Sequence, residues 1–160
     1  MCIRDRSVDI CLDQVKNDDF IGIQTYTRHT YGPEGIVKPN TNDSNMLVMG
    51  YEYYPESLEN VLRYVDPKIN CPMIVTENGI GTDDDEQRIS YVKTALEGLQ
   101  RCIDDGLDIR GYYYWSFLDN FEWLYGYKPR FGLIEVDRET LARKSKKSLK
   151  FYQEIIEKSS

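Results

Sequence analysis

Pro72-Met73-Ile74-Val75-Thr76-Glu77-Asn78-Gly79 decides the reading of this chain. A short apolar strand runs straight into a carboxylate, and Asn-Gly then frees the backbone. Burying an unpaired carboxylate is costly, so an interior strand normally ends in something neutral. Two readings of Glu77 follow. It is a surface acid capping a strand before a turn, or it is held at the lip of the strand for chemistry.

Strand and helix signals alternate around this stretch. Upstream, Phe20-Ile21-Gly22-Ile23-Gln24-Thr25-Tyr26 reads as a buried strand after the acidic turn Asn17-Asp18-Asp19. A polar stretch with Pro33, Gly35 and Pro39 reads as a loop, and a short helix starts near Pro55, with proline in its first turn. Downstream, the acids of residues 82–86 favour a helix N-terminus, and a helix is expected from about residue 85 to 104. Ile89, Val92, Leu96, Leu99 and Ile103 fall on one of its faces at steps of three and four. Asp105-Gly106 closes it. A third strand is expected over residues 109–115, a small hairpin around 131–137, and a final helix from about 142 to 157.

This order is the signature of parallel βα units and places the chain in the α/β class. Three parallel strands are too few to close a barrel and leave two open edges, so the chain reads as part of something larger. The opening Met1-Cys2-Ile3-Arg4-Asp5-Arg6 has no apolar core of a signal peptide. Residues 1–7 are read as a non-native scar, and 8–160 as one portion of a single domain.

Composition narrows the partners. The chain has 160 residues, 41% of them hydrophobic, and a net charge of −7, which argues against nucleic acid. No apolar run approaches the length of a membrane span. Cys2, Cys11, Cys71 and Cys102 show neither paired nor metal-ligand spacing and read as buried free thiols in a reducing compartment, which implies a cytoplasmic setting. No metal or cofactor is expected. The acids of residues 83–86 read as a helix cap, the lysines of 144–147 as a solvated helix face, and the lone His29 as a surface residue.

In a parallel βα array, functional groups gather at the C-terminal ends of strands. Those ends carry Gln24 and Tyr26, then Glu77, then Trp115. A strand-end tyrosine can donate a hydrogen bond to a neighbouring carboxylate and orient it. An indole offers a flat face for the apolar side of a sugar ring. The loop Asp119-Asn120-Phe121-Glu122-Trp123 adds acceptors for vicinal hydroxyls and a second indole. Tyr112 and Tyr114 read as core.

Three segments now stand in one order: Asp19-Phe20-Ile21-Gly22-Ile23-Gln24-Thr25-Tyr26-Thr27, Thr76-Glu77-Asn78-Gly79, and Tyr114-Trp115-Ser116-Phe117-Leu118-Asp119-Asn120-Phe121-Glu122-Trp123. Gly126-Tyr127 and Arg130-Phe131-Gly132-Leu133 follow. Together they resemble the C-terminal portion of glycoside hydrolase family 1, the β-glucosidase family, from about Asp18 onward. The resemblance implies strands six to eight of a (β/α)8 TIM barrel that hydrolyses β-glycosides with retention. It implies Glu77 as nucleophile, Tyr26 as its hydrogen-bond partner, Trp115 as a platform under the sugar, Glu122 and Trp123 at the outer hydroxyls, and Phe131 in the pocket wall. Gln24 stands where the family usually has Asn, keeping the amide and lengthening its reach. Relatives acting on 6-phosphorylated sugars replace the Glu-Trp pair, and a carboxylate there would repel a phosphate, so the resemblance implies unphosphorylated β-D-glucosides, with galactosides or fucosides as extras.

The family's acid/base Glu lies in an Asn-Glu-Pro motif, and no such motif occurs in these residues. The isolated chain is therefore expected to be inactive. The other reading is a carbohydrate-binding relative of the same fold without catalysis.

Overall fold

The apolar runs on either side of Glu77 assemble as a parallel sheet. A computed structural model describes residues 8–37 and 45–159. In chain order it contains α1 (Ile10–Val15), β1 (Ile21–Gln24), β2 (Tyr31–Gly32), β3 (Gly35–Ile36), α2 (Ser57–Val65), β4 (Met73–Asn78), α3 (Asp85–Asp104), β5 (Ile109–Tyr114), β6 (Ile134–Val136), β7 (Arg143–Ser145) and α4 (Lys147–Ser159). The main sheet has the order β1-β4-β5 with both pairings parallel. Helices α2 and α3 make the two crossovers that parallel neighbours require. The segment read as a scar lies outside the described residues.

Helix α3 begins where its capping chemistry dictates. The Asp84 carboxylate accepts from the amides of Glu86 (3.0 Å) and Gln87 (3.3 Å), and Asp85 and Glu86 lie against the positive end of the helix. It closes at Asp105, with Gly106 taking the left-handed conformation at φ 93°. Between the helices and the sheet lies the core: Leu58, Leu62 and Val65 of α2, Met73 and Val75 of β4, and Tyr91, Ala95, Leu99 and Cys102 of α3. Gly98 lets α2 and α3 approach, since a Cβ there would press on the Glu59 side chain at 2.9 Å.

Several sequence expectations are corrected. The buried face of α3 runs through Arg88, Tyr91, Val92, Ala95, Gly98, Leu99 and Cys102. It is rotated from the expected Ile89, Leu96 and Ile103, because Arg88 and Tyr91 bury polar heads that find partners; Ile103 is exposed. β4 continues through Glu77 and Asn78, and β5 stops at Tyr114. The final helix starts at Lys147, because Arg143–Ser145 pairs antiparallel with β6. Helix α1 and the β2–β3 pair arise where no regular element was expected. Cys11 is exposed, unlike the buried thiol expected. Among the described residues, no helix is long and apolar enough to cross a membrane.

Among those residues β1 and β5 each have one strand neighbour, and Tyr113, Phe117, Trp123 and Leu124 are exposed. Expressed alone, the 160-residue chain should self-associate and bind a hydrophobic dye such as ANS, because open edges and apolar surface seek partners. A sharp melting transition of a monodisperse monomer in calorimetry would contradict this.

Candidate active site

Glu77 owes its orientation to a bulge. On the β1 side Ile23 pairs with Val75 and Gln24 with Glu77. On the β5 side Val75 pairs with Tyr112 and Asn78 with Tyr114. One extra residue of β4 is thereby inserted after Val75. Side chains alternate faces along a strand, so an insertion exchanges the faces beyond it. Met73 and Val75 are buried against the helices, and without the bulge Glu77 would follow them. With it, Asn78 takes the helix side, fully buried, and Glu77 turns to the half-open side.

There it meets Tyr26. The phenol donates to Glu77 Oε2 at 2.6 Å. Burial first, then this hydrogen bond and the charges of Glu77 and Glu122, hold the Tyr26 hydroxyl well above the usual phenol range. It therefore remains a donor throughout the neutral range. Phe131, 2% exposed, packs against the Tyr26 ring in a T-shaped arrangement, with centroids 6.0 Å apart and planes at 79°. Gln24 ends β1 in register with Glu77 and is exposed.

Trp115 follows the last residue of β5. Its amide donates to the Asn78 carbonyl at 2.9 Å, and the Trp115–Ser116 peptide is cis. Gly79 packs directly on this turn: a Cβ there would collide with the Trp115 carbonyl oxygen. The Asn-Gly step is thus a close approach of two strand ends rather than a turn.

Beyond Trp115 the loop to Gly132 is tied down internally. Ser116 Oγ lies 3.0 Å from Asn120 Oδ1, and the Asn120 amide donates to Glu122 Oε2 at 3.0 Å. Glu122 is half-buried, near enough for its charge to raise both Tyr26 and Tyr51. Tyr125 donates to the Met49 carbonyl at 3.3 Å, joining this loop to the segment ahead of α2. Trp123, 85% exposed, has its indole in the open. Asp119 is not the ligand acceptor that its place in the loop implied. It is buried, accepts from Lys146 Nζ (2.8 Å) and from the Gly132 amide (2.9 Å), and anchors the loop. Lys146 likewise leaves the solvated face expected of residues 144–147.

The structure brings Tyr26 into contact with both Glu77 and Phe131, with Glu122 acting on Tyr26 through its charge, Gln24 in register with Glu77 and Trp115 at the adjoining strand end. Sequence reasoning missed Asn78, Tyr91 and Tyr112, which meet behind Glu77, and Tyr51. The aromatic gathering at residues 51–54 was the one signal for Tyr51.

The sequence model of glycosyl hydrolase family 1 matches residues 11–160. β-Glucosidase A of Acetivibrio thermocellus is 41% identical over 155 residues, covering 86% of this chain and 35% of that protein. A 1,4-β-D-glucan glucohydrolase of Thermotoga neapolitana is 34% identical over 166 residues, covering 94% and 37%. The crystal structure of β-glycosidase BGL167 superposes with a TM-score of 0.90 at 42% identity, covering 98% of this chain and 37% of that one. The chain spans little more than a third of the relatives it matches.

Proposed function

The chain belongs to glycosyl hydrolase family 1, and from that premise we propose that it is the C-terminal third of a retaining β-glucosidase, with β1, β4 and β5 as the sixth to eighth strands of a (β/α)8 barrel. The observation that carries this reading is the Tyr26 phenol on Glu77 at 2.6 Å, at the end of the central strand. A carboxylate aimed to one side by a donor that keeps its proton is prepared for attack along one line.

Glu77 attacks the anomeric carbon, and the bond from that carbon to the aglycone oxygen breaks. The departing oxygen takes a proton from a carboxylic acid about 5 Å away. Water then attacks the glycosyl-enzyme, giving its proton to the same group, now a base, and Glu77 leaves as carboxylate. The proton donor belongs to a segment beyond these 160 residues, which hold no Asn-Glu-Pro. Alone, the chain is inactive. Trp115 stacks beneath the sugar, Glu122 and Trp123 take its outer hydroxyls, Gln24 reaches the side facing Glu77, and Phe131 walls the pocket through Tyr26. The Glu122 charge favours unphosphorylated β-D-glucosides. A sugar-binding protein without catalysis finds no support, since the relatives named above are hydrolases.

Incubating the full-length protein with an activated 2-deoxy-2-fluoro-β-glucoside should add one sugar to one peptide. Tandem mass spectrometry should find it on Glu77. A label on another carboxylate would overturn the assignment.

A further inference from the structure

We propose that Asn78, Tyr91 and Tyr112 form a positioning network that fixes the backbone of Tyr26, and through it the phenol on Glu77. This rests on the reading of Glu77 as nucleophile. The reason for such a network lies in where β1 stops. Its ladder ends at Gln24, so the carbonyls of Thr25 and Tyr26 leave the sheet beside a buried core and need other partners. Two side chains supply them. Asn78 Nδ2 donates to the Thr25 carbonyl at 2.7 Å, and the Tyr91 hydroxyl donates to the Tyr26 carbonyl at 3.0 Å.

The two donors are themselves joined. Asn78 Nδ2 also donates to the Tyr91 oxygen at 3.2 Å, and Asn78 Oδ1 accepts from the Tyr112 hydroxyl at 3.0 Å. Both protons of the amide and one acceptor direction are therefore used, and the side chain has one orientation. The three residues come from β4, α3 and β5. Asn78 and Tyr91 are fully buried, and burial raises the Tyr91 phenol to about 12, so it stays a donor. A core needing only to be filled would be served as well by apolar groups of the same shape. These polar groups instead converge on the two consecutive carbonyls that precede and carry the Tyr26 side chain.

The test is a double-mutant cycle in the full-length enzyme, read as the rate of glycosyl-enzyme formation from an activated 2-fluoro-glucoside. Tyr91→Phe removes one oxygen and keeps the ring that packs on Tyr53. It should slow labelling about tenfold, since small misplacements near the reacting group are costly. The affinity for the reagent should stay nearly constant. Tyr26→Phe should slow labelling more, and adding Tyr91→Phe to it should cost nothing further, because the second hydroxyl acts only through the first phenol. Tyr112→Phe should behave like Tyr91→Phe with a smaller loss, and it carries the test if Tyr91→Phe does not fold. Losses that multiply in the double variant, or Tyr91→Phe labelling at the wild-type rate, would overturn the network. A Glu77→Gln enzyme that still took the label would instead overturn the reading of the site.

Discussion

Replacing Glu77 by glycine in the full-length enzyme is expected to lower turnover of an aryl β-glucoside by about 10,000-fold, the scale on which removing a covalent nucleophile acts. Added azide should restore part of the activity and yield a glycosyl azide of inverted configuration. The small residue leaves a space where the carboxylate stood, on the same side of the anomeric carbon. An anion in that space attacks once and departs with the sugar, whereas the reaction proposed for Glu77 displaces twice and retains. Proton NMR of the product distinguishes the two anomers. An azide of retained configuration, or turnover within tenfold of wild type without azide, would remove Glu77 from the nucleophile's role. Glu77→Gln should differ instructively. It keeps the shape at Tyr26, so sugar binding persists while labelling is lost, separating recognition from attack.

What could be read in advance follows from which interactions are local. Helix α3 was expected over its observed bounds, since Asp84 caps it and Asp105-Gly106 closes it within the segment itself. Tyr26 beside Glu77 was legible from strand-end positions and from the family resemblance together. The bulge was not. It depends on how β4 meets two neighbours at once, and no residue between Val75 and Asn78 announces it. The turning of Glu77 away from the core and of Asn78 into it went unread with it. Polar residues were the general source of error. Arg88, Asn78, Asp119 and Lys146 look like surface by composition, yet each is wholly or largely buried with partners distant in sequence. Hydrophobic periodicity cannot see a buried polar group whose partner lies on another element.

The Asp119–Lys146 pair shows how much such a contact controls. Asp119→Ala in the full-length protein is expected to cost about 3–5 kcal/mol of stability, the range for stranding one member of a buried ion pair. Side-chain exposures of 5% and 12% put the pair outside the surface class. Lys146 Nζ also donates to the Gly132 carbonyl at 2.7 Å, and burial already draws the ammonium below the usual lysine range against the pull of Asp119. Without that carboxylate the charge keeps one carbonyl, and the Gly132 amide loses its acceptor. Because the folded pKa of Lys146 then falls further below its unfolded value, the unfolded state binds more protons between the two. Stability of the variant should accordingly rise with pH across that interval. Denaturant titrations at neutral and alkaline pH would measure both effects. A double change to Asp119→Leu with Lys146→Met should recover most of the loss, since neither partner is left buried alone. A single-variant cost below about 1 kcal/mol would mean that water screens the pair as it does on a surface. The loop from Trp115 to Gly132 would then be held by Asn120 and its backbone bonds, and the placement of Glu122 would owe little to its buried anchor.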